Sequence, residues 1–241
     1  MTGGGEKVSI VVPTYNERDN VRPLCDGIRD ALGSAWDYEV IIVDDNSPDG
    51  TAEAVRQMAS EDPRIRLLQR PGKLGLGTAV ADGFALAEGD YWIMMDADLS
   101  HRPEELPRML SSLSDADIVI GSRYVAGGGV QNWPLWRQMV SRGASGMGRM
   151  IVGLSVRDLT SGFGAFRRHW MEPLLPSLNP RGFKLLLEIL AKSRGARVRE
   201  TPITFVDRQN GRSKASAGEA LIFLRLCFAL RSQRERDEPP L

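Results

Sequence analysis

The chain has 241 residues, 42% of them apolar and 26% charged, and its 31 Lys/Arg balance 31 Asp/Glu. That is the make-up of an ordinary soluble globular protein of one large α/β domain or two small ones, and it excludes a strongly basic nucleic-acid binder. The two distant cysteines, Cys25 and Cys227, exclude a disulfide scaffold and read as reduced, buried thiols in a cytosolic setting.

Residues 1–7 carry no signal-peptide pattern and read as a disordered lead-in. Val8 to Val12 predicts a first buried strand, followed by a helix near 19–32. Tyr38 to Val43 predicts a second strand that ends in Asp44-Asp45-Asn46-Ser47-Pro48-Asp49-Gly50 and leads to a helix near 51–60. A short strand at Ile65 to Leu68 precedes a Gly-rich turn at 72–77 and a helix through Leu86. The fourth strand, Tyr91 to Met95, opens into Asp96-Ala97-Asp98. A helix starting at Pro103 and a strand from Asp117 to Ile120 complete this half. Such alternation with short turns is the signature of βαβ units and a mostly parallel sheet.

The second half is less regular. A loop from Tyr124 to Trp136 carries Gly127-Gly128-Gly129, Trp133 and Trp136 and is long enough to be functional. Helices are expected at about 137–152 and 183–194, a strand near 198–206, and a last helix at about 217–231. Ala220 to Leu230 contains Arg225 and is about half the ~20 apolar residues that span a bilayer, so no transmembrane segment is expected. In 137–152, Met139, Val140, Met147, Met150 and Ile151 share one side; a core stripe or an interfacial helix would each use them.

The zero net charge hides a split. Residues 1–119 hold 11 Lys/Arg against 22 Asp/Glu, and residues 120–241 hold 20 against 9. Two complementary faces of one globule would explain this. So would an acidic half that holds a metal and a basic half that meets an anion.

Asp96 and Asp98, one residue apart at a strand's carboxyl end, offer an all-oxygen site for Mg²⁺ or Mn²⁺, and ligands of open α/β sheets gather at such ends. Pro13-Thr14-Tyr15-Asn16-Glu17 and Asp44-Asp45-Asn46-Ser47 end two other strands. Parallel neighbours would bring all three clusters to one edge, where a nucleotide fits; turns and helix caps use the same residue types. Gly72 to Gly77 matches neither phosphate-loop pattern. His101 is a metal ligand, a base or a helix-start residue. Arg123 is an anion contact. The loop from Phe205 to Lys214 concentrates three cations and reads as a solvated surface or a diphosphate clamp.

Pro13-Thr14-Tyr15-Asn16-Glu17, Val43 to Gly50, Lys73-Leu74-Gly75-Leu76-Gly77-Thr78, Asp96-Ala97-Asp98-Leu99-Ser100-His101, Gly121-Ser122-Arg123-Tyr124 and Phe205-Val206-Asp207-Arg208 occur in that order. The set resembles the dolichol-phosphate (polyprenol-phosphate) mannose synthases of the family 2 glycosyltransferases, from about residue 7 to residue 230. The resemblance implies an α/β, Rossmann-like GT-A fold with a C-terminal helical extension. One domain would span 8–231, with a nucleotide-sugar and metal half (8–123), an acceptor- and membrane-facing half (124–231) and a polar tail (232–241).

The resemblance also implies metal-dependent, inverting transfer of mannose from GDP-mannose to a polyprenyl monophosphate. Pro13, Tyr15, Glu17, Val43 and Asp45 would line the guanosine pocket. Asp96 and Asp98 would hold Mg²⁺ or Mn²⁺, with Ala97 against the nucleotide. Arg123, Arg208 and Lys214 would contact phosphates, and Asp98, Arg123 and Arg208 would be catalytic. Ser100 stands where some relatives have glutamine, and Gly164 where arginine is frequent; both roles stay open. Asp158 is the sole base candidate after the loop, and an ionised phosphate acceptor needs none. The enzyme would sit peripherally on the cytoplasmic face of the membrane, alone or through a separate anchoring protein. Alternatives are a relative that uses UDP-glucose or a hydroxyl acceptor, and a non-catalytic nucleotide-sugar-binding partner.

Overall fold

The strand-helix alternation of the first half folds as written. In the computed structural model, which describes residues 5–178, 185–207 and 217–236, the order is β1 (Lys7–Thr14), α1 (Arg18–Leu32), β2 (Asp37–Asp44), α2 (Thr51–Glu61), β3 (Ile65–Gln69), α3 (Leu76–Ala85) and β4 (Tyr91–Met94). A 3₁₀ turn at Pro103–Glu105 opens α4 (Leu106–Ser112), and β5 (Ile118–Ser122) follows. Then come β6 (Gly129–Gln131), α5 (Leu135–Val152), β7 (Gly164–Arg167), the one-turn α6 (Arg168–Met171) and a 3₁₀ segment, Glu172–Ser177. The described chain closes with α7 (Leu185–Lys192), β8 (Val198–Pro202), β9 (Thr204–Val206) and α8 (Ala217–Arg236).

Seven strands form one sheet in the order β3-β2-β1-β4-β7-β5-β8, and β6 pairs with β9 in a small second sheet. All pairings in the large sheet are parallel except those of β7, which runs antiparallel to both β4 and β5. Neither β6 nor β7 is predicted from the sequence, and the single strand expected near 198–206 breaks at Ile203 into β8 and β9. The final helix also runs past Arg231 to Arg236, into the segment expected as a polar tail. At the other end β1 begins at Lys7, and Glu6 accepts the Tyr91 hydroxyl at 2.6 Å, so residues 6 and 7 belong to the fold.

Apolar layers cover both faces of the sheet. On one, α1 buries Val21, Leu24, Cys25, Ile28 and Leu32, the three- and four-residue spacing of a helix stripe. On the other, α3 lays Ala79, Val80 and Phe84 against β1 and β2, and Gly83 lets it close, since a Cβ there would collide with the Val11 side chain. Each fully buried branched side chain contributes about 1.5–3 kcal/mol, which makes these layers the main hold on the strands.

Of the apolar residues expected on one side of α5, Met139, Val140, Met147 and Met150 are exposed, as are Leu135 and Trp136, whereas Ile151 packs against the core and Ser145, Gly148 and Val152 face inward. A Cβ on Gly148 would lie 2.9 Å from Cζ of Phe223, so this glycine lets α8 approach α5. Among the described residues, no helix is long and apolar enough to cross a membrane.

Candidate active site

Because β2, β1 and β4 are adjacent and parallel, their three polar strand ends meet at one edge of the sheet, as the sequence pattern predicts. Short polar bonds join the ends of β1 and β2. The Asn16 amide donates to Ser47 Oγ at 2.9 Å, the Glu17 amide to Thr51 Oγ1 at 3.0 Å, and the Arg18 amide to Asp49 Oδ2 at 3.1 Å. Asp44 is fully buried and accepts from Thr14, from the Ser47 hydroxyl and from the Ser47 amide, so it staples its own turn. Asn16 (φ +63°) and Asn46 (φ +56°) take the left-handed conformation that asparagine tolerates, which accounts for both asparagines by turn geometry.

At the end of β4, Asp96 and Asp98 are half-buried and Ala97 is buried in the core. Between the second carboxylate and Ser100 stands Leu99 at φ +61°, a strained conformation for a branched residue. The strain is held by Asp98 Oδ1, which accepts from both the Ser100 amide (3.0 Å) and the Ser100 hydroxyl. His101 is buried, tilted on Phe163 at 5.1 Å, with Nδ1 accepting the Asp96 amide at 3.2 Å. Its proton therefore sits on Nε2, and the ring orients the Asp96 backbone.

The antiparallel course of β7 delivers a further part. Gly164 pairs with Met94, so Ser161-Gly162-Phe163 enters beside Asp96. A Cβ on Gly162 would lie 2.8 Å from Asp96 Oδ2, and this close approach needs glycine. Gly164, too, has no spare volume: the Phe166 ring fills its place, 2.7 Å from where a Cβ would stand.

A cleft of about 140 Å³ opens here, lined by Pro13, Asp96 and Gly162 on the sheet side and by Leu76, Val80, Leu185 and Leu186 on the helix side. The donor set suits a hard divalent ion: two carboxylates one residue apart in the loop after β4, beside a cleft open to oxygens of a ligand. No group of three or more His, Cys, Asp or Glu suited to a metal occurs among the described residues.

The other expected site residues fall as follows. Tyr15 is 37% exposed, with Lys73 Nζ 3.8 Å above its ring. Glu17 precedes α1 and accepts from Asn20 at 2.7 Å. Val43 is fully buried beneath α3 and offers no surface to the cleft. Asp45 is buried against Arg70, which motif reading did not single out. Arg208 and Lys214 lie outside the described residues. Their approach is described: the Val206 amide donates to Ser100 O at 3.1 Å, which pins β9 to the Asp98 turn.

Arg123 is buried rather than open to an anion. Its Nε and Nη2 each donate to Asp158 at 2.7 Å, its amide donates at 3.0 Å, and Nη2 also reaches Thr160. Burial pushes the Asp158 carboxyl up, but the Arg123 hydrogen bonds and charge outweigh it and hold the group below the usual carboxylate range. Burial likewise disfavours the charged guanidinium, and Asp158 more than restores it. Asp158 is thus a structural counter-ion, which removes the one base candidate. Around this pair lie the rings of Tyr124, Trp133 and Phe205, 5.2–5.4 Å from the Arg123 guanidinium carbon. The buried Tyr124 hydroxyl and Trp133 Nε1 have no hydrogen-bond partner among the described residues.

Comparison with known proteins decides the family. The family model "Glycosyl transferase family 2" matches residues 9–175. The chain belongs to glycosyl transferase family 2. It is 42% identical over 227 residues to a dolichol-phosphate mannosyltransferase of Pyrococcus furiosus, a match that covers 93% of this chain and 63% of that protein. It thus spans less than two thirds of that relative. To an undecaprenyl-phosphate mannosyltransferase of Micrococcus luteus it is 40% identical over 218 residues, covering 88% of both.

Solved structures share the GT-A fold. Glucosyl-3-phosphoglycerate synthase from Mycobacterium tuberculosis, in complex with Mn²⁺, UDP-glucose and phosphoglyceric acid, superposes with a TM-score of 0.66 at 20% identity, covering 98% of this chain and 81% of that one. A mannosyltransferase from Pyrobaculum calidifontis in complex with GDP-Man and Mn²⁺ gives 0.62 at 18% identity, covering 98% and 76%.

Proposed function

We propose that this chain transfers mannose from GDP-mannose to a polyprenyl monophosphate, with inversion at the sugar and with help from Mg²⁺ or Mn²⁺. The observation that carries the reading is the carboxylate pair Asp96 and Asp98 at the end of β4, with Asp96 lining a half-apolar cleft, the β1 and β2 strand ends alongside, and Asp158, the base candidate of the sequence, tied up by Arg123. The named relatives support the acceptor class.

Pro13, Tyr15 and Glu17 border the nucleoside, Val43 backs the wall, and Asp45 acts through the turn that it fixes. Asp96 and Asp98 would hold the ion, which when bound would offset charge developing on the departing diphosphate. An acceptor phosphate oxygen attacks the anomeric carbon as the bond to GDP breaks, and GDP leaves with the electron pair. The acceptor is already ionised near neutral pH, so no side chain has to take a proton. Arg123 is locked to Asp158 and so shapes the wall of the site, and Arg208 and Lys214 would contact the phosphates. The exposed apolar face of α5, flanked by Arg142 and Arg149, meets the lipid surface that carries the acceptor.

The test mixes purified chain, labelled GDP-mannose, Mg²⁺ or Mn²⁺ and polyprenyl phosphate. Lipid-linked mannose is expected, and Asp98→Ala abolishes it. Absence of lipid-linked sugar with either metal sinks the reading. A panel that includes UDP-glucose exposes a different donor.

A further inference from the structure

We infer that Arg70 is a positioning residue for the donor nucleotide: it seats Asp45 and the turn 72–75 as one preformed edge of the nucleoside pocket. The inference rests on the donor reading above.

Arg70 follows β3 and is 4% exposed, with its amide donating to Asp44 O at 2.8 Å. A guanidinium carries five N–H donors in a fixed fork, and here four of them are hydrogen-bonded while Nη2 also ion-pairs with Asp45. Nε donates to Asp45 Oδ1 at 2.6 Å, and Nη2 reaches the same oxygen and Gly75 O at 2.9 Å. Nη1 donates to Thr78 Oγ1 at 2.6 Å and to Asp82 Oδ2 at 3.1 Å. One side chain thus joins the end of β2, the Gly-rich turn and the first turns of α3.

Asp45 completes the clasp. Its other oxygen, Oδ2, accepts the amides of Leu74 (3.2 Å) and Gly75 (3.0 Å). Three hydrogen bonds and the ion pair with Nη2 thus commit the Asp45 carboxylate to the clasp. Beside it, Lys73 stands over Tyr15, which borders the nucleoside side of the proposed site.

The turn has little else to hold it. Leu74 is 55% exposed, and a Cβ built on Gly72 or Gly75 would touch nothing within 4 Å. Gly75 sits at φ +106°, a conformation that favours glycine. Asn46 adds one long bond, 3.5 Å to Pro71 O, and the Thr78 hydroxyl donates to Gly75 O at 2.7 Å. Polar bonds from Arg70, Asp45 and Thr78, not packing, fix these residues, and ordering them in advance spares the nucleotide that cost on binding.

Calorimetry of GDP and UDP against the full chain with Mn²⁺ tests this without any lipid acceptor. Arg70→Gln and Arg70→Lys are each expected to bind GDP about ten-fold more weakly and to lose most of the preference for GDP over UDP, because a lysine cannot reproduce the fork. In the complete assay KM for GDP-mannose rises about ten-fold while kcat falls less than about three-fold, a split that general loss of structure would not give. Thr78→Val keeps the Arg70–Asp45 pair but removes both the Arg70 tie to α3 and the Thr78 bond to Gly75 O, so a GDP affinity about three-fold lower is expected. Asp82→Asn, which weakens the Arg70 tie to α3 alone, is expected to lower it less, and the two decide the matter if the Arg70 variants do not fold. A wild-type chain that binds no GDP overturns both readings. A wild-type chain that binds GDP, with Arg70→Lys or Thr78→Val matching it in affinity and base preference, overturns this inference alone.

Discussion

Asp158→Asn tests whether the Arg123 pair is structural. Asp158 is fully buried and accepts three bonds from Arg123 plus two from Thr160 at 3.3 Å. The asparagine keeps the volume but leaves a buried guanidinium without its counter-charge. Breaking one partner of such a pair costs about 3–5 kcal/mol. For a domain of this size each kcal/mol lowers the melting temperature by about 2–4 °C, so a fall of about 6–20 °C is expected at pH 7 by calorimetry. Replacing both partners, Arg123→Met with Asp158→Leu, should recover most of that loss, because no buried charge then remains. The sign with pH follows from the lowered folded pKa of Asp158. The pair's contribution is complete above the unfolded value of about 3.9 and is lost as pH falls through the folded value, at about 1.4 kcal/mol per pH unit. The gap between wild type and Asp158→Asn should therefore be flat from pH 8 to 5 and shrink below about pH 4. A fall of less than about 2 °C at pH 7, or a gap that stays constant down to pH 3, refutes the argument.

Gly162→Ala would push Asp96 from its seat; titration should show Mn²⁺ binding about 10–100-fold weaker, with thermal stability little changed. Gly83→Ala overpacks α3 against Val11 and should cost about 1–3 kcal/mol by urea unfolding. Met139→Gln with Met150→Gln removes exposed apolar surface from α5, so flotation with anionic phospholipid vesicles should recover much less protein while activity on a short-chain, water-soluble acceptor persists.

The sequence carried the first half of the fold because β1, β2, β4 and β5 are built on buried apolar runs that alternate with helix patterns and turn signals. It was silent on β7, a four-residue strand of Gly164-Ala165-Phe166-Arg167 with no alternation, whose place is set by the two edges it bridges. The strand-end clusters were legible as a set, but their internal roles were not. Asp44 and the two asparagines serve the turns, Val43 and Ala97 the core, and Asp45 the Arg70 clasp. Arg70 sits in Gln69-Arg70-Pro71 with no motif around it. The pairing of Arg123 with Asp158, 35 positions apart, needed coordinates for the same reason. On α5 the apolar periodicity was visible; which side it faced depended on Gly148 and Phe223.

The antiparallel strand β7 also governs how the chain can be assembled over time. β4 and β5 are separated in the sheet by a strand that lies more than forty positions further along the sequence than β5 itself, at 164–167 against 118–122. During synthesis the apolar edge of β4 stays bare until that segment emerges, and β5 must then wait for β8 at 198–202. An unpaired edge is a template for wrong partners, and late long-range pairing slows folding. A gene cut after residue 123 would thus give an N-terminal fragment that ends on an open, sticky edge, and only co-expression with the rest would keep it in solution.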